Sequence, residues 1–255
     1  MEIKALVVTL IAGLFFLVGY ILNKIAKNKK NFLKFSIALA FMIMIGLICF
    51  DLLPEVIENV SEDSLSLRII SFMVPFIGGI LILFLLDKLV PDHHHDHHEG
   101  EHNHHEHNSN LYHIGLVTSI ALVLHNIIEG GAIYITSLTD LKAGLMIALG
   151  VGLHNIPLGM EISGALDLSK SKLSKRVTPI LLITLSTVFG ALIMLVIKVD
   201  FSPLILTILI STTMGMVTYI LVFELLKEVL RDIKEKSTII GLVVGLVITI
   251  ISLFL

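Results

Sequence analysis

Two short stretches of this chain place metal-binding residues where the surroundings should exclude them. One reads His125-Asn126-Ile127-Ile128-Glu129-Gly130, the other His154-Asn155-Ile156-Pro157-Leu158-Gly159, each inside a long apolar segment. Imidazole and carboxylate are costly in hydrocarbon, so their presence there marks a functional site. His125 and Glu129 are four residues apart, which puts them on one helix face. Two imidazoles, a carboxylate and the amide oxygens of Asn126 and Asn155 form a borderline donor set suited to zinc, ferrous iron, cobalt or manganese. Calcium, which takes oxygen ligands only, fits it poorly. A single buried histidine is usually a satisfied core residue. Two His-Asn pairs, one with Glu at i+4 and the other with Pro at i+3, point to a metal site instead.

The elements that carry these residues are helices in a membrane. The chain has 255 residues, 55% of them hydrophobic and 15% charged, with a mean hydropathy of +0.95. That is far too apolar for an ordinary globular domain. Eight apolar segments stand out, at roughly 4–23, 33–53, 69–90, 111–137, 142–166, 178–198, 203–226 and 238–255; about 20 apolar residues span a bilayer. The expected fold is an all-α membrane protein of eight transmembrane helices forming one domain over 1–255. The first apolar run has no small-residue cleavage site after it and reads as a retained span. Lone Cys49 excludes an intrachain disulfide and a cysteine-rich zinc module, and is expected to be a small core residue.

Of the 18 Lys and Arg residues, 14 fall on the odd-numbered connections, in clusters such as Lys24 to Lys34, Lys170 to Arg176 and Lys227 to Lys236. By the positive-inside rule those connections are cytoplasmic and both termini are extracytoplasmic. The fourth and fifth spans then run antiparallel, and His125 and His154 are equidistant from the turn between them. Equal depth near the midplane lets one ion touch both helices. Pro157 removes a backbone donor and frees the carbonyl of Leu153, which is tolerated where it lines a polar cavity. Gly130, Gly131 and Gly159 allow helix backbones to approach closely.

With these motifs the chain resembles the ZIP (Zrt/Irt-like) family of divalent metal transporters, whose fourth and fifth spans carry motifs of the type HNxxEG and HNxPEG. The resemblance covers nearly the whole chain. It implies eight spans with an inverted repeat, metal movement into the cytoplasm, and Zn²⁺, or Fe²⁺, Mn²⁺, Co²⁺ or Cd²⁺, as transported substrate. Metal ion and lipid bilayer are the expected partners, nucleic acid is not, and a homodimer is compatible with the family. The host membrane is expected to be the plasma membrane. Asp51-Leu-Leu-Pro54-Glu55 resembles the family's second-span ending, and Tyr219 to Glu228 its seventh-span pattern. Asp51 and Glu55 would then form an outer funnel or a plain interfacial cap, and Glu224 and Glu228 an exit or a salt-bridged helix end.

The chain departs from the family at two positions. The usual fifth-span carboxylate is replaced by Leu158, and the sixth-span glutamate aligns with Thr187. Glu129 is left as the central acid, and a second cation without added negative charge is repelled, so a mononuclear site is expected. Glu161, two turns beyond His154, is a candidate stepping stone toward the cytoplasm. Rival readings are weaker. A membrane metal sensor would bind without moving metal. A cation-diffusion-type exporter normally pairs six spans with a soluble domain. An intramembrane zinc hydrolase lacks its HExxH signature here, so no enzyme is expected, and no GxxxxGK[ST] motif marks an ATP-driven pump.

The longest connection, 91–110, is expected to be a disordered histidine-rich cytoplasmic loop, since it has nothing apolar to bury. It holds nine of the 12 histidines: His93, His94, His95, His97, His98, His102, His104, His105 and His107. Interspersed acids make this a metal-binding composition, suited to capturing released metal or sensing it. Deleting 93–107 should therefore leave metal uptake working and alter its regulation, as measured in cells under varied metal supply.

Overall fold

The computed structural model describes residues 1–59, 64–89, 102–169, 171–197 and 203–252, and every regular element among them is helical. In chain order these are α1 (Glu2–Ile25), α2 (Lys29–Gly46), α3 (Leu53–Asn59), α4 (Leu65–Leu89), α5 (His102–Thr139), α6 (Leu141–Leu168), α7 (Leu173–Ile197), α8 (Pro203–Tyr219), α9 (Leu226–Arg231) and α10 (Lys236–Ser252). A six-residue π-helical turn, Leu47–Leu52, fuses α2 to α3, and another, Ile220–Leu225, fuses α8 to α9. Seven of the resulting helices are long and apolar enough to cross a membrane, and α10 is apolar but shorter. They coincide with the eight segments read from the sequence. The final residues of the eighth, 253–255, lie outside the described residues.

The outer faces carry large exposed apolar side chains, among them Ile21, Val74, Leu182 and Ile240. In water such a belt would drive aggregation; in a bilayer it is the solvated surface. Lipid tails are as apolar as leucine, so close packing and polar contacts must hold the helices together. Glycines supply that closeness where the metal-motif helices cross their neighbours. Gly130 on α5 faces the backbone of Thr187 on α7, and Gly190 on α7 faces the backbone of Ile127 on α5. On the other flank, Gly19 of α1 and Gly159 of α6 face each other's helix backbones. Gly131 meets only the Met194 side chain, so the role expected of it belongs to Gly130 and Gly159. As a result α1, α5, α6 and α7 pack as one group, while α2 pairs with α10 and α4 with α8.

A single residue separates α5 from α6. Asp140 caps α6 by accepting from the amides of Lys142 (2.8 Å) and Ala143 (3.2 Å), an ordinary N-cap arrangement. This turn sets the two motif helices antiparallel and in register. At the opposite, basic end, Asp167 of α6 binds Lys24 of α1 at 2.8 Å, Arg176 of α7 at 3.3 Å and the Asn23 side chain at 3.1 Å. Lys34 of α2 reaches Asp232 at 3.0 Å and Glu235 at 3.3 Å.

Phe50-Asp51-Leu52-Leu53-Pro54-Glu55 and Phe223-Glu224-Leu225-Leu226-Lys227-Glu228 share the pattern Phe-acid-Leu-Leu-x-Glu, and each runs from a π-helical turn into the helix after it. An extra residue in a helical turn rotates the side chains beyond it, and such turns gather at functional sites.

Two expectations need correction. Helix α5 begins at His102, so 102–110, expected to be without structure, extends the fourth span's helix; residues 90–101 lie outside the described ones. Cys49 was expected in the core but is exposed, because the π-helical turn carries it to the bundle surface.

Replacing Gly190 with valine would drive a side chain into the Ile127 backbone. Overpacking of this kind costs about 1–3 kcal/mol. Thermal unfolding in detergent should show a melting temperature lower by roughly 2–4 °C for each kcal/mol lost.

Candidate metal centre

His125 and Glu129 lie one turn apart on α5, and His154 faces them from α6. His125 Nε2 stands 2.8 Å and His154 Nε2 3.2 Å from the same Glu129 oxygen, Oε1. The two imidazole rings are 6.3 Å apart, centre to centre, and tilted by 36°. One donor atom from each of the three residues lies within 4.8 Å of the other two, the one such cluster among the described residues. Donors around a tetrahedral zinc, each at 2.0–2.2 Å, are separated by about 3.3 Å; the His154–Glu129 spacing of 3.2 Å matches, and the His125–Glu129 spacing of 2.8 Å is shorter.

The burial of these atoms is costly as the chain stands. His125 is 1% exposed, and its Nε2, the Nε2 of His154 and Oε2 of Glu129 are buried without a hydrogen-bond partner of sound geometry. Buried polar atoms are normally paired. Both imidazoles approach the same carboxylate oxygen closely, so one donor atom from each of the three residues is near enough to the others to share a cation.

The asparagines are tied to the flanking helices. Asn126 Nδ2 donates to the Ile183 carbonyl of α7 at 3.3 Å, and Asn155 Nδ2 to the Ala12 carbonyl of α1 at 3.5 Å. Each sits beside a glycine crossing and fixes the rotation of its helix, so the neighbouring histidine points inward. The Asn126 oxygen is buried and unpartnered, which leaves it free to act as a donor. Pro157 is buried in an unbroken α6, one turn from His154.

Both replaced carboxylate positions are dry. Leu158 packs in the main apolar cluster with Phe16, Ile162 and Ile183. Thr187 is buried at the α7 crossing, where its hydroxyl bonds the Thr184 carbonyl at 3.4 Å. Asp51 and Glu55 are exposed at the end of the bundle nearest the α5–α6 turn, within electrostatic reach of Glu129. Asp51 also acts on His154. At the other end Glu228 is paired with Arg231, as the salt-bridged helix end would have it, and Glu224 is half-buried. Glu161 is fully buried. Of the histidine run, His93, His94, His95, His97 and His98 lie outside the described residues, and only helix backbone is described for His102, His104, His105 and His107.

Sequence reading missed the supports. The carbonyls of Ile183 and Ala12 carry no residue signature and could not have been found. Asp167 and Asp87 could have been, as lone acids near span ends. Asp87 of α4 accepts from the Tyr219 hydroxyl at 2.9 Å, just before the second π-helical turn.

Among the described residues, helices of membrane-crossing length and apolarity surround a His₂Glu cluster whose donor atoms could share a metal ion, the features of a multi-pass membrane protein with a candidate metal site. Comparison with known proteins agrees. The model of the ZIP zinc transporter family matches residues 1–115 and 90–253. Relatives named zinc transporter ZupT cover 98% of this chain: one from Streptococcus mutans is 27% identical over 97% of its own length, and one from Enterobacter sp. strain 638 is 29% identical over 96%. The chain belongs to the ZIP zinc transporter family, whose members are integral membrane transporters and not enzymes.

Proposed function

We propose that this transporter carries zinc into the cytoplasm across the plasma membrane through a mononuclear site at His125, Glu129 and His154, with Asn126 and Asn155 as auxiliary oxygen donors. The observation that carries the reading is that His125 and Glu129 of α5 and His154 of α6 each bring one donor atom within 4.8 Å of the other two. Zinc as cargo follows from the names of the relatives, and the donor set also accepts Fe²⁺, Mn²⁺, Co²⁺ and Cd²⁺.

Metal is drawn in by Asp51 and Glu55, whose charges reach the cluster, and loses water as it binds between α5 and α6. Binding needs neutral imidazole and ionised carboxylate, so protons compete with metal. Release is toward the basic end, which the positive-inside rule makes cytoplasmic, past Glu161, Glu224 and Glu228. Both termini are then extracytoplasmic. By the same rule the histidine-rich connection would be cytoplasmic, where its composition suits it to capture or sense released metal. In a homodimer each protomer would keep its own site, since all the donors come from one chain.

Uptake into proteoliposomes, with each metal offered separately, tests the reading. His125→Ala/Glu129→Ala should abolish saturable zinc uptake, and Glu129→Gln should weaken zinc binding by roughly two orders of magnitude or more, since one charge contact at the effective dielectric of a protein is worth several kcal/mol. Uptake unchanged in the double variant would remove the site from the path. Zinc stoichiometry checks the single ion: one equivalent is expected at the centre, rising toward two in Leu158→Glu, which returns a carboxylate beside it. Two equivalents in the unaltered protein would refute a mononuclear site.

A further inference from the structure

A groove opens at the basic end of the bundle, where α1 ends and α2 and α10 begin, and none of its lining residues belongs to the metal centre. Its volume is about 430 Å³, within the roughly 300–1,000 Å³ range of small-molecule sites. Leu22 and Ile25 of α1 and Ile240 of α10 line it with large, exposed apolar side chains. Phe32 and Phe35 line it from α2, half-buried and with ring centres 6.2 Å apart. Gly241 brings α10 against the Phe35 carbonyl, so α2 and α10 meet directly beside the groove.

Lys27, Asn28, Asn31 and Ser237 add polar groups to this lining. The stretch from Lys24 to Lys34 holds five lysines and no acid. Three of the five are engaged: Lys24 with Asp167, Lys29 with the Asn23 carbonyl, and Lys34 with Asp232 and Glu235. Lys34 thereby also occupies the acids of the turn before α10. Lys27 and Lys30 are exposed and make no ion pair among the described residues. Phe35 lies seven residues into the chain from Asn28, about 10 Å along the helix. Polar and basic groups at one end and apolar ones a helix-turn or two deeper follow the order in which a phospholipid presents headgroup and acyl chain. An uncharged groove would accept any lipid, whereas unpaired lysines at a membrane surface favour an anionic one.

We infer that this groove is a binding site for an anionic phospholipid, its acyl chain against Leu22, Phe35 and Ile240 and its phosphate beside Lys27 and Lys30. A lipid seated there touches α1, from the group that holds the motif helices, and also the α2–α10 pair, and so bridges the two. Only the assignment to the cytoplasmic leaflet rests on the proposed orientation; the binding itself does not.

Native mass spectrometry of the full-length protein in a neutral detergent, titrated with phosphatidylglycerol or with phosphatidylcholine, tests the inference. Phosphatidylglycerol should be retained more tightly. Lys27→Gln/Lys30→Gln should weaken it roughly 30-fold, the loss expected for two lysines acting at the strength usual beside an anionic membrane surface, and leave phosphatidylcholine unaffected. Lys172→Gln/Lys227→Gln removes two lysines from the same end of the bundle but outside the groove, and should bind like wild type. Ser237→Trp keeps every lysine and fills the groove, so it should also lose the lipid. Equal retention of the two lipids by wild type, or an equal loss in the Lys172/Lys227 variant, would overturn the site. Should Ser237→Trp fold poorly, the exposed lysine variants decide the matter alone. Zinc uptake is read separately, so failure of the transport reading leaves this result untouched.

Discussion

Holding two imidazoles and a carboxylate at one buried point requires that α5 and α6 neither rotate nor slide, and the bundle is organised around that requirement. Each motif helix is gripped on its outer flank by a glycine crossing, α5 by α7 and α6 by α1. Each is pinned again by an asparagine amide bonded to a neighbouring carbonyl. The Asp140 turn fixes their relative depth. Without a hydrophobic force between helices in lipid, such contacts have to supply both the affinity and the precision.

The same constraint explains how polarity is distributed. Serine and threonine hydroxyls inside the bundle mostly turn back to their own helix carbonyls, as Ser163 does to Gly159 and Thr184 to Ile180. They satisfy themselves locally and ask nothing of the site. Of the ionisable side chains inside the bundle, His125, His154, Glu129 and Glu161 each bury at least one polar atom without a hydrogen-bond partner. At the basic end Asp167 binds α1, α6 and α7 together and Lys34 holds α2 to the segment after α9. There the charges can be hydrated on one side, which lowers the cost of placing them at a membrane surface.

The repeated Phe-acid-Leu-Leu-x-Glu stretches put a π-helical turn and two acids on each side of the centre. The two halves share the backbone device but not its surroundings. Asp51 and Glu55 are exposed, while Glu228 is buried against Arg231. One copy of the pattern therefore sits at an exposed end of the bundle and the other among buried side chains.

The all-helical character, the apolar helices and the one-turn spacing of His125 and Glu129 were legible in the sequence, because each depends on local composition or on spacing along one helix. Apolar length sets what can cross a bilayer, and the i, i+4 rule places His125 beside Glu129 with no knowledge of the fold. The matched depth of His154 was legible too, since a one-residue turn leaves little freedom. Beyond that the sequence was silent or misleading. Cys49 moved to the surface, and the helix of the fourth span began at His102, because a π-helical turn and a helix extension change local rotation and length without a distinctive residue. The Ile183 and Ala12 carbonyls became supports only when distant helices packed. Contacts between segments remote in the chain depend on how side-chain volumes fit across a crossing, and that is decided by tertiary structure alone.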